Sequence, residues 1–102
     1  MLSTFSEKTA DIARLCKTHH VARLKVFGSA VTDRFDETAS DLDFLVEFDE
    51  VGVRHYADCY FGLMEGLQTL FARPVDLVVI SAIKNPYFKQ RVEEERKLLY
   101  AA

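Results

Sequence analysis

With 102 residues, 49% of them hydrophobic and 28% charged, the chain has the composition of a folded domain and not of a disordered segment. A net charge of −3 without a strongly basic block argues against a dedicated nucleic-acid binder, whose affinity would come from clustered Lys and Arg. No apolar run approaches the roughly 20 residues of a membrane span, and the charges spread through MLSTFSEKTADIARLCK leave no continuous apolar stretch for a signal peptide. The expected compartment is therefore the cytoplasm, and the expected organisation a single domain over 1–102 with one modest core.

Residues 5–19 read as a helix, with Phe5, Ile12, Leu15 and Cys16 along one stripe. RLKVF, 23–27, reads as a strand that stops at Gly28. Ser29 to about Phe35 fits a short helix, and the polar loop DETAS follows. DLDFLVEF, 41–48, is the second strand. Residues 54–71 read as the longest helix, carrying Tyr56, Tyr60, Leu63, Met64, Leu67 and Leu70 on its apolar side. Gly62 and Gly66 would weaken that helix by roughly 1 kcal/mol each unless close packing compensates.

Arg73-Pro74 ends the helical pattern, and VDLVVI, 75–80, is a third strand. Asn85 as N-cap and Pro86 in the first turn predict a final helix with Phe88, Val92 and Leu99 as its stripe and Glu93 to Lys97 solvated. The order αβαβαβα implies an α/β (α+β) fold: a small mixed sheet of three strands, or four with an added edge strand, covered by helices on one face. Cys16 and Cys59 lie far apart at amphipathic helix positions and read as free core thiols. His19, His20 and His55 have no zinc-like spacing to them and read as surface or helix-end residues.

The second strand carries the chemistry. Side chains alternate along a strand, so Leu42, Phe44, Val46 and Phe48 share one face, and Asp41, Asp43, Leu45 and Glu47 the other. Two carboxylates two residues apart lie within about 7 Å and repel unless a proton or cation intervenes. Hard oxygen donors at that spacing suit Mg²⁺ or Mn²⁺ better than zinc. Taken alone, the pair is equally compatible with Asp41 capping a turn and Asp43 facing solvent. Asp76 interrupts an apolar third strand, a costly place for an acid unless it is paired, metal-bound or exposed at the strand start. If the third strand lies beside the second, Asp76 joins the other two. Gly28-Ser29 stands between a strand and a predicted helix start. There a close-approaching backbone, unpaired N–H groups and a hydroxyl can hold phosphate, although a plain Gly turn with a Ser cap is the simpler account. Arg23 and Lys25 could also reach phosphates, but read better as solvated strand-edge residues.

Gly28-Ser29, eleven intervening residues, Asp41-Leu42-Asp43 and then Asp76 together resemble the minimal nucleotidyltransferases (MNT group) of the DNA polymerase β superfamily. The resemblance extends to the terminal NPYFKQRVEEERKLLY, similar to that family's last helix. It departs at one place: where family members often carry Arg four residues after the Ser, Asp33 stands here and Arg34 follows it. The resemblance implies a polymerase-β-like fold, with Asp41, Asp43 and Asp76 as catalytic residues and ligands of two Mg²⁺ ions, Mn²⁺ being an alternative. It implies Gly28 and Ser29, with Arg34 after a loop shift, as the site for ATP or another nucleoside triphosphate. It further implies transfer of a nucleoside monophosphate to a partner hydroxyl, the partner being a HEPN-type helical toxin neutralised by this chain as its antitoxin. A non-catalytic antitoxin that masks its partner by binding is the rival reading, and homo-oligomerisation is left open.

Overall fold

The computed structural model describes residues 2–27, 42–79 and 96–102. Outside these lie the predicted short helix from Ser29, the DETAS loop and the start of the last helix with Asn85, Pro86, Phe88 and Val92. The described elements are α1 (Leu2–Glu7), α2 (Thr9–Thr18), β1 (Val21–Phe27), β2 (Leu42–Phe48), α3 (Glu50–Arg54), α4 (Tyr56–Phe71), β3 (Val75–Val79) and β4 (Arg96–Ala101).

The strands form one mixed sheet in the order β3-β2-β1-β4. β1 runs antiparallel to β2 and β4, whereas β2 and β3 are parallel. Parallel neighbours need a crossover, and α3 with α4 supplies it. Leu42, Phe44 and Val46 of β2 and Leu24 and Val26 of β1 are completely buried. They pack with Phe5, Ile12 and Cys16 from α1 and α2 and with Leu63, Leu67 and Phe71 from α4. Phe5 meets Phe71 edge to face at 5.3 Å between centroids, which closes the core under the N-terminus. Burial on β2 thus follows the alternation seen in its sequence.

Both long predicted helices begin earlier than expected and are interrupted. The first is broken at Lys8, where the Thr9 hydroxyl bonds back to the Ser6 carbonyl at 2.9 Å. The second is preceded by α3, which Asp49 caps by accepting from the Gly52 N–H at 2.9 Å. α4 ends at Ala72, which takes the left-handed conformation with φ 53° just before Pro74. Gly62 and Gly66 serve close helix packing: a Cβ would stand 2.7 Å from the His19 ring at the first and 2.5 Å from a Leu15 methyl at the second.

The C-terminus corrects the expected helix stripe through Leu99: residues 96–101 form β4, not the end of a helix. Its Arg, Lys and Leu favour a helix locally, but β1 has a second side whose peptide groups need partners. β4 supplies them, pairing Val26 with Lys97 and Lys25 with Leu98. Consequently β1 is an interior strand, and the reading of Arg23 and Lys25 as strand-edge residues is also corrected. Arg23 faces Glu47 across β2 at 3.8 Å. The cysteines are free and buried. His19 and His20 follow α2, and His55 is exposed between α3 and α4.

Candidate active site

β2 and β3 are parallel and in a register that sets Asp43 directly beside Asp76, between the pairs Leu42–Val75 and Phe44–Leu77. Those flanking residues are all buried against the helices. Alternation therefore turns both carboxylates to the face away from the helix layer. Neighbouring strands lie about 4.8 Å apart, so the two acids are close neighbours. The Leu42 N–H donates to the Pro74 carbonyl at 3.2 Å, which ties the starts of the two strands together immediately before the acids. Asp43 is half-buried and Asp76 exposed. Of the expected site residues, the structure brings these two together; Asp41, Gly28, Ser29 and Arg34 lie outside the described residues.

Two features of this face were not read from the sequence. Phe27, at the end of β1, is the register partner of Asp43, so one row across the sheet reads Asp76, Asp43, Phe27. Leu45, assigned by alternation to the acid face, is 4% exposed and clusters with Phe27 and Val78. The acids thus border a small apolar floor, where charge–charge effects are stronger than in open water. The burial of Leu45 on the outer face had no sequence signal beyond its apolar character.

Tyr60 reaches the same strand from the helix layer. Its hydroxyl donates to the Leu77 carbonyl, one residue beyond Asp76, at 2.7 Å. Burial first, then the neighbouring Tyr56 and the Asp76 charge, push its phenol above the usual range. The ring stacks on Tyr56 at 5.7 Å and 20°.

As a donor set, adjacent carboxylates on a rigid sheet fit a hard divalent cation such as Mg²⁺ or Mn²⁺. No set of three His, Cys, Asp or Glu occurs among the described residues. Two acids beside each other can bind a cation or share a proton, which leaves the chemistry underdetermined by geometry alone.

Comparison with known proteins decides the family. The model of the nucleotidyltransferase domain family matches residues 10–99. The chain belongs to this family. The nucleotidyltransferase is 40% identical over 99 residues to a candidate protein adenylyltransferase of Methanocaldococcus jannaschii, covering 92% of this chain and 96% of that protein. A solved candidate minimal nucleotidyltransferase superposes with a TM-score of 0.70 at 29% identity, over 94% of this chain and 93% of the other. The MNT antitoxin complex with a tri-AMPylated HEPN toxin from Shewanella oneidensis gives 0.61 at 18% identity, covering 96% of this chain and 73% of that one, a likeness of fold. The mixed four-stranded sheet with helices is thus the fold of minimal nucleotidyltransferases, and the chain is a nucleotidyltransferase enzyme. Among the described residues, no helix is long and apolar enough to cross a membrane.

Proposed function

We propose that this nucleotidyltransferase moves AMP from ATP to a hydroxyl on a HEPN-type helical toxin and, as the antitoxin, silences it in the cytoplasm. The observation that carries this reading is the register pairing of Asp43 with Asp76 on one sheet face. The name of the M. jannaschii relative and the AMPylated HEPN toxin in the antitoxin complex support the choice of nucleotide and acceptor.

Asp43 and Asp76, with Asp41 two residues before Asp43, are the proposed ligands of Mg²⁺. Two such ions, when bound, supply positive charge to the attacking and leaving oxygens of an in-line displacement. Gly28 and Ser29 hold the triphosphate tail through backbone N–H groups and the hydroxyl, and Arg34 contacts a phosphate or the base. The acceptor oxygen forms a bond to the α-phosphorus, the α–β bridging bond breaks, and pyrophosphate departs. Asp76 faces the acceptor and helps to take its proton. The chain's part is positioning and electrostatics, so removing one ligand costs orders of magnitude in rate.

The test is incubation of the chain with ATP labelled on the α-phosphate, Mg²⁺ and its co-purifying partner, beside Asp43→Asn and Asp76→Asn. Label on the partner with the native chain, reduced at least about 100-fold by either substitution, is the expected result. Neutralisation of the partner without label, undiminished in both variants, would establish masking instead.

A further inference from the structure

β3 is five residues long and stands at the end of the described sheet, with β2 as its strand neighbour. A strand held along one side is a weak platform for a catalytic acid, because rotation or slippage about that ladder changes the distance to Asp43. The second anchor of β3 comes from α4, where Tyr60 donates to the Leu77 carbonyl across 17 positions of sequence. The donor is itself fixed. Its half-buried ring packs against the main core, stacks on Tyr56, and meets Phe61 edge to face at 5.2 Å. The Leu77 side chain is 3% exposed and points into that core, so the peptide accepting the bond is held from both its side chain and its carbonyl.

We propose that Tyr60 is a positioning residue for the Asp43–Asp76 pair, its hydroxyl fixing the strand that carries Asp76 so that the two carboxylates keep the spacing a divalent cation requires. Tyr60 touches neither nucleotide nor metal; it acts through the backbone that follows Asp76. A group that orients a metal ligand from outside commonly controls affinity by about 10- to 100-fold. A contact routed through one peptide unit should fall at or below the low end of that range. The inference rests on the reading of Asp43 and Asp76 as metal ligands.

The experiment is a Mn²⁺ titration of the full chain, with free ion followed by electron paramagnetic resonance, on native protein, Tyr60→Phe, Asp43→Asn and Leu67→Val. Tyr60→Phe removes the hydroxyl and keeps the ring. Leu67→Val is the control for lost stability, since Leu67 is fully buried on α4 within the same core. Tyr60→Phe should weaken Mn²⁺ binding about 3- to 10-fold, with the Leu67 variant binding like the native chain. In metal-free protein, amide exchange of residues 76–79 should quicken in Tyr60→Phe more than in Leu67→Val. Mn²⁺ affinity of Tyr60→Phe within twofold of native, or a loss matched by Leu67→Val, overturns the positioning role while leaving the metal site intact. Native protein binding no Mn²⁺ that Asp43→Asn abolishes would overturn the metal site, and this inference with it.

Discussion

Cys16 shows how much a single buried group can make stability depend on pH. It has no exposed surface, and burial pushes its thiol up to about 12. The ordinary value is 9.0, so unfolding releases a group that ionises more readily. The stabilising contribution is complete below about pH 9 and is lost progressively as pH rises toward 12, because the unfolded chain then binds fewer protons. Urea unfolding of the native chain and of Cys16→Ala at pH 8, 10 and 11 checks this. The stability advantage of the native chain should shrink at each step, and a constant difference would contradict it. At this scale the sequence was informative where alternation decides: Leu42, Phe44 and Val46 are buried and Asp43 is turned away from them. It was silent about Leu45, because alternation gives a side chain its face and not what covers that face.

Elements were legible where a strong local pattern agreed with the tertiary environment, as in β2, β3 and most of α4. They were misread where long-range pairing outweighed propensity: the last segment looks helical by composition and becomes β4 because β1 needs a second partner. Helix joints were hidden for a related reason. Gly52 in α3 sits where the backbone crowds a neighbouring chain, and a Cβ there would lie 2.8 Å from the His20 carbonyl oxygen and 2.9 Å from Phe48 Cβ. Neither neighbour can swing aside, so Gly52→Ala should destabilise by about 1–3 kcal/mol, lowering the melting temperature by roughly 4–8 °C per kcal/mol. Gly66→Ala meets the methyl end of Leu15, which can rotate, and gains up to about 1 kcal/mol in helix propensity. It should be near neutral. Melting both variants tests whether backbone or side-chain crowding governs these sites, and equal losses would refute the distinction.

For the molecule as a whole, the candidate site opposes the fold that presents it. Like charges set directly opposite on neighbouring strands cost about 0.2–1 kcal/mol, and Asp43 and Asp76 are such a pair, beside the apolar cluster of Phe27, Leu45 and Val78. A chain selected only for stability would carry an amide at one of these positions. Asp76→Asn keeps the shape and removes one charge, and Asp76 is exposed, so nothing in the core is disturbed. In metal-free buffer this variant should therefore melt about 2–4 °C above the native chain, the shift that roughly 0.5 kcal/mol gives in a domain of this size. Added Mg²⁺ with ATP should reverse the order. A ligand at 100 times its dissociation constant adds about 2.7 kcal/mol to the protein that binds it, and the variant, having lost a proposed metal ligand, should gain little of this. Thermal melts of the two proteins with and without Mg²⁺ and ATP measure both terms. A variant that is less stable than native without metal would show that the acids are not in mutual repulsion. One that gains as much as native from Mg²⁺ and ATP would show that Asp76 does not hold the cation.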